Sequence, residues 1–285
     1  MSDTRRSNIV RSLLKYPLTA DLLRVISQAW DTPYRSRSRA RSDLAAMVQD
    51  GYLGRQPVAT TRPGQREYLY FLQPKARLIV PEIEHVAKKT SVFRGFSESS
   101  PTHLLAVSQF CACLERSAGE ARVPIVGVRR PHHFRVSIVA STRRGQERVS
   151  LIPDYTFVVP VGVHHEALFL ELQNRTAAIM PVRDESGRSL RFKLAKYRAF
   201  AATFRQHFAV QELEAQLGVK LTGFRVLVVT TGDDNTLRAL MRANQQRGFD
   251  HLFWFSTTAK TAVDNIFTAP IWSLNTRKNQ ILLRK

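Results

Sequence analysis

Cysteine is nearly missing from the chain: two occur in 285 residues, Cys111 and Cys113. They stand two apart in a helical pattern, where their side chains diverge, so no disulfide is expected between them. Neither lies near the histidines His132, His133, His164 and His165, and no Cys/His spacing suits zinc. Long apolar runs are absent as well, so no membrane-spanning segment is expected, and the polar N-terminus lacks the apolar core of a signal peptide. There is no internal repeat and no low-complexity tract. Acidic residues are scarce, with 23 Asp and Glu against 43 Lys and Arg, giving a formal charge of +20 and a pI near 10.8. Such an imbalance points to a polyanionic partner. The arginines are spread through folded-looking segments and not gathered on one amphipathic helix, which favours nucleic acid over a membrane surface. A cytoplasmic location is the matching expectation.

What is present suggests two domains, since the length suffices for two modest cores. Apolar spacing predicts a short helix over Ser7 to Tyr16, and a second through Leu22, Leu23, Ile26 and Trp30, capped by Thr19. A third follows the turn at Asp31 to Pro33, with Leu44, Met47 and Val48 on its apolar face and Gly51 as its stop. RQPVAT and EYLYFL then read as two strands joined by TRPGQ, a turn built on Pro63 and Gly64. Three helices followed by a β-hairpin is the order of a winged helix-turn-helix, whose third helix enters the major groove. This module is placed at residues 1–75. Arg35, Arg37, Arg39 and Arg41 stand at or just before the N-terminal end of the third helix, and Arg62 and Arg66 flank the wing tip. All six are candidate contacts to double-stranded DNA. Winged helices bind proteins as well as DNA, and the sequence leaves that choice open. They often act in pairs on palindromes, so a homodimer is compatible with the pattern.

Residues 76–100 read as a connecting segment, with SESSP near its end, and a second domain is expected over 101–285. It begins with a helix carrying Leu104, Val107, Cys111 and Leu114, followed by strands at PIVGVRR and FRVSIVA. A long helix is expected from about Leu190 to Gln216. FRVLVVTT and HLFWFST read as buried strands of the parallel kind, with helices at DNTLRALMRANQQRG and TAKTAVDN. The predicted class is α/β (α+β) with a mixed central sheet.

The stretch from Leu151 to Tyr197 carries the chemistry. LIPDYTFVVPVGVHHEALFLELQNRT reads as two strands about a break at Pro160 to His165. A turn centred between Gly162 and Val163 sets Asp154 opposite Glu171, and alternation points Glu171 and Gln173 to one face. Two carboxylates converging on one patch repel unless one is protonated or a cation lies between them. Mg²⁺ or Mn²⁺ with oxygen ligands answers that repulsion economically. Glu171 facing solvent is the plainer alternative. Downstream, Lys193 and Tyr197 share a helix face at i and i+4. Asn174, Arg175 and Thr176 fall just past the strand end, where Arg175 can reach a phosphate.

Pro-Asp on one strand and Glu-x-Gln on the next resemble the PD-(D/E)xK nuclease superfamily, whose third element is usually Lys and sometimes Gln. More specifically, PDYTFVV, LFLELQNRT and FKLAKYRAF resemble the plasmid replication-relaxation family, associated with plasmid mobilisation. The likeness extends to VLVVTTGDDNTLRALMRA and APIW, and so covers most of the chain. It implies a restriction-endonuclease-like domain behind a winged helix, a bacterial host, and other mobilisation or replication proteins as partners. It also implies a site in which Asp154, Glu171, Gln173 and Lys193 are catalytic, Asp154 and Glu171 hold the metal with a further acid from the first helix of the nuclease fold, for which Glu115 is the candidate, and Tyr197 supports them. Gln173 departs from the usual Lys: an amide donates and accepts hydrogen bonds but cannot supply the positive charge. Two readings therefore stand side by side, a Mg²⁺- or Mn²⁺-dependent nicking endonuclease and a DNA-binding accessory or regulatory protein without turnover. A replication initiator would share the same binding module.

Overall fold

The computed structural model describes residues 1–58, 66–80, 101–129, 134–142, 145–173, 190–243, 251–274 and 280–282. The fold is a mixed α+β one with N-terminal helices and a central mixed sheet. The chain divides into two compact units, Met1–Arg116 and Ser117–Lys285. Among the described residues no helix is long and apolar enough to cross a membrane.

In the first unit, α1 spans Asp3–Lys15, longer at its start than the apolar spacing indicates. Ser2 caps it by accepting from the Arg5 amide, and Asp3 sits in its first turn, where a carboxylate suits the positive end of the helix dipole. Thr19 caps α2, Ala20–Ile26, as its sequence suggests. Helix α3 runs Arg37–Gln49 from a Ser36 cap, and Gly51 ends it at φ +78°, a left-handed conformation that suits glycine. An antiparallel ribbon follows, β1 (Leu53–Val58) with β2 (Glu67–Leu72). Leu18 adds a short third rung by exchanging backbone bonds with Tyr70. The wing turn and Arg62 lie outside the described residues.

Helix α4, Pro101–Ala121, was expected to open the second domain, yet the division between units runs through it. Leu104 packs with Val58 and Leu69 of the ribbon, which ties the first turns of α4 to the first unit. Ser117, nearer its end, belongs with the second, where its Oγ accepts from the Ile266 amide at 3.0 Å.

The second unit holds β3 (Gly127–Arg129), β4 (Val136–Thr142), β5 (Gly145–Leu151), β6 (Tyr155–Val161) and β7 (His164–Gln173). Helix α5 (Leu190–Thr203) and α6 (Phe208–Leu217) precede β8 (Leu221–Thr230). Then come α7 (Asp234–Ala243), β9 (Phe253–Thr257) and α8 (Thr258–Val263). The single helix expected over 190–216 is broken. Thr203 leaves helical geometry, Phe204–Gln206 tightens into a 3₁₀ turn, and His207 is extended. Phe204 turns into the core there, and the His207 ring bonds Thr203 Oγ1 at 2.8 Å.

The five-stranded sheet has the order β3-β6-β7-β8-β9, antiparallel from β3 to β7 and parallel from β7 to β9. Strands β4 and β5 form a separate ribbon. Phe169 of β7 joins the parts: its ring lies 4.9 Å from Phe134, 5.8 Å from Tyr197, 6.0 Å from Phe200 and 5.2 Å from Phe224. Each fully buried phenylalanine contributes about 1.5–3 kcal/mol, so this cluster fixes α5 firmly over one face of the sheet.

Candidate functional site

The β6–β7 hairpin sets the register. Val161 pairs with His164 around Gly162 and Val163, and Tyr155 pairs with Leu170. One step further, the Asp154 amide donates to Leu170 O at 3.0 Å, so Asp154 and Glu171 stand across from each other. Alternation puts Glu171 on the face of Phe169 and Ala167, the face that α5 covers. Glu171 is therefore fully buried, at 0 % exposure, and the solvent-facing alternative does not hold.

Helix α5 supplies the partners. Lys193 Nζ donates to Glu171 Oε2 at 2.5 Å and lies 3.7 Å from Asp154 Oδ1. One turn on, Tyr197 Oη donates to Glu171 Oε1 at 2.8 Å. Asp154 Oδ2 accepts from the Leu172 amide at 2.8 Å, which fixes its carboxylate against β7. Both carboxylates thus converge on one ammonium. Asp154 is 15 % and Lys193 27 % exposed in their side chains, so the cluster opens to solvent from the Asp154–Lys193 side.

The charges do not balance. Two carboxylates share one lysine, and burial pushes the Glu171 carboxyl up to about 7; Lys193 pulls it down and Asp154 pushes it up again. Burial lowers the Lys193 ammonium, but Asp154 and Glu171 outweigh that and hold it above its ordinary value. Burial, then the Glu171 carboxylate, lifts the Tyr197 phenol well above its usual range, so it stays a donor. A hard divalent cation suits such an oxygen-rich, negatively charged corner. Among the described residues no group of three or more His, Cys, Asp and Glu side chains gathers to hold a metal. Asp154 and Glu171 make two, and Mg²⁺ commonly takes one or two carboxylates, with water and phosphate oxygens filling the rest.

The place of this cluster in the sheet is also telling. β7, β8 and β9 end side by side at Gln173, Thr230 and Thr257, and ligands of open α/β sheets lie at the carboxyl ends of such strands. Gln173 is half-buried on the Glu171 face, and its carbonyl accepts from the Thr231 amide. Arg175 lies outside the described residues. Glu115 belongs to the first unit, where it pairs with Lys15 at 2.8 Å.

The arginines of the first unit divide into two kinds. Arg37 is tied to Asp21 at 3.2 Å and to Glu67 at 3.1 Å, and Arg39 lies 3.4 Å from Asp43. Arg35, Arg41 and Arg66 are exposed. Sequence reasoning passed over Asp43, which is buried and accepts from Tyr34 Oη at 2.8 Å, although an acid in step with Ala40, Leu44 and Met47 on a helix's apolar side is a visible signal. It also passed over β5, whose serine, arginine and glutamate content hides its pairing with β4.

Comparison with protein-family models, curated proteins and solved structures finds no match to this chain.

Proposed function

We propose that this is a DNA-binding protein of a plasmid or other mobile element, whose second unit carries a nuclease-like site that hydrolyses a phosphodiester with Mg²⁺ or Mn²⁺. The observation that carries the reading is the convergence of Asp154 and Glu171, one from each arm of a β-hairpin, on the Lys193 ammonium. A site with two carboxylates, one lysine and an opening to solvent has the makings of metal-assisted phosphoryl chemistry. The helix-helix-helix-ribbon order of the first unit and the charge of +20 support a winged-helix DNA contact through Arg35, Arg41 and Arg66. The likeness of PDYTFVV, LFLELQNRT and FKLAKYRAF to the replication-relaxation pattern supports the mobile-element setting and a PD-(D/E)xK-type fold for the second unit.

When bound, the cation supplies a Lewis acid for the phosphate and lowers the pKa of a water. Asp154 and Glu171 would hold it, and Lys193, the ammonium beside both, would supply positive charge to the phosphate in place of the lysine that Gln173 replaces. Gln173 orients through hydrogen bonds, and Tyr197 keeps the Glu171 carboxylate aimed into the site.

A second reading has its own support: both Glu171 oxygens are already satisfied by Lys193 and Tyr197, as in a structural ion pair. The chain would then be an accessory or regulatory DNA-binding protein with a nuclease-like scaffold. Supercoiled plasmid incubated with Mg²⁺ or Mn²⁺ separates the two. Nicking that disappears in both Asp154→Ala and Glu171→Ala is the expected result; retarded DNA with no cut strand under either metal sinks the enzyme and leaves the scaffold.

A further inference from the structure

Strands β4 and β5 pair from Val136↔Leu151 to Thr142↔Gly145 as a ribbon outside the five-stranded sheet. One face enters the core through Val136, Ile138 and Leu151. The other carries Arg135, Ser137, Val139, Gln146, Arg148 and Ser150, with alternation sending Glu147 to the inner side. Arg135, Ser137, Val139, Gln146 and Arg148 are exposed. Two arginines, two serines, an amide and no acid make this outer face a row of hydrogen-bond donors with net positive charge.

The face is also pre-organised. Arg135 donates through Nε and Nη2 to Ser150 Oγ at 3.1 and 2.9 Å, which holds its guanidinium against the neighbouring strand. Lys196 Nζ donates to Ser150 O at 3.0 Å, fastening β5 to α5 one turn beyond Lys193. The ribbon and the helix that delivers Lys193 to the carboxylates are therefore joined by this bond and by the core they share. Val139, 56 % exposed, is the sole large apolar side chain among the named outer residues, and such a group in a polar groove-facing row suits a thymine methyl.

We propose that the outer face of the β4–β5 ribbon grips duplex DNA, with Arg135 and Arg148 on backbone phosphates and Ser137 and Ser150 as neutral donors beside them. A two-stranded antiparallel ribbon fits the major groove, and charge complementarity selects a polyanion over an apolar partner. The inference rests on the DNA-binding reading above and adds the surface by which the second unit holds its substrate near Lys193.

The test uses the full chain and a short duplex in fluorescence anisotropy across a salt series. Arg135→Gln with Arg148→Gln removes two phosphate contacts, so the slope of log K against log salt falls by about 1.8 and affinity near 0.1 M salt drops ~10-fold or more. The lysine pair R135K and R148K keeps the slope. Ser137→Glu, an acid set between the arginines, weakens binding without touching either of them, and serves should the glutamine pair melt early. Wild-type slope and affinity in both the glutamine pair and Ser137→Glu overturn the proposal, as does a loss confined to single-stranded oligonucleotide. If the glutamine pair is unaffected while Arg35→Gln with Arg41→Gln lowers the slope, the ribbon assignment falls and the DNA-binding reading stands. A wild-type protein that ignores duplex at every salt concentration overturns both.

Discussion

Two buried carboxylates in this molecule look alike at first sight and differ in their accounts of charge. In the first unit, Asp43 accepts from Tyr34 Oη at 2.8 Å and lies 3.7 Å from Arg5 and 3.4 Å from Arg39. In the second, Glu171 accepts from Tyr197 Oη at 2.8 Å and from Lys193 at 2.5 Å. A tyrosine serves each, but the cations differ in number. The first has one acid and two guanidiniums; the second has two acids and one ammonium, because Asp154 shares Lys193. Surplus positive charge around a lone buried acid holds two helices and a loop together. Surplus negative charge in a half-open corner is the contrast on which the proposed metal site rests.

The strongest way to break this comparison is to remove one cation from each cluster. Lys193→Met leaves two carboxylates with no ammonium between them and should destabilise the protein by about 3–5 kcal/mol near neutral pH. Arg39, 58 % exposed in its side chain, leaves Arg5 behind when it goes, so Arg39→Met should cost under ~1 kcal/mol. Urea unfolding measures both. Adding Mg²⁺ should restore part of the stability of the lysine variant and do nothing for the arginine one, since a cation that binds only the folded site stabilises by mass action. Equal losses, or no response to Mg²⁺, would mean that the corner has no place for a divalent ion.

The charge deficit also sets a pH dependence. The Glu171 carboxyl moves from 4.5 to about 7 on folding, so the folded state holds this proton more tightly than the unfolded chain does. Its contribution is full below about 4.5 and is lost as pH rises through 7, after which it is flat. It is read as the difference between wild type and Glu171→Gln in urea unfolding from pH 4 to 8. A difference that stays constant with pH would remove the raised carboxyl from the argument.

How much of this was legible in the sequence depends on how local the signal is. The hairpin register was, since Gly162 and Val163 mark the turn and strict alternation carries Asp154 to Glu171 without further information. So was the pairing of Lys193 with Tyr197, because helix periodicity fixes it. That Lys193 would reach both carboxylates was not, since the loop before α5 gives no geometry and the approach is decided by packing of Phe169, Tyr197, Phe200 and Phe224. The break after Thr203 carries no local mark either, since Phe204 follows Tyr197 and Phe200 at helical spacing and the apolar pattern runs on through it. The division of the chain inside α4 was hidden because a continuous helical pattern carries no mark of which unit each turn packs against.

The finest distinction between the two clusters lies in their tyrosines. Tyr34→Phe takes one donor from Asp43 and leaves two guanidiniums near it, so the loss should be about 1 kcal/mol. Tyr197→Phe strips Glu171 Oε1 of the Tyr197 hydroxyl donor in a fully buried setting, where a hydrogen bond to a charged acceptor contributes about 1.5–3 kcal/mol. The second substitution has a signature beyond stability. The Tyr197 hydroxyl draws the Glu171 carboxyl down, so without it the pH at which the Glu171-dependent stability disappears should move upward. A phenylalanine variant at 197 with an unmoved pH midpoint, and a loss no larger than that at 34, would show that Glu171 is held in the same manner as Asp43. The deficit of positive charge would then have no chemical consequence, and the hydrolytic reading would lose its physical basis.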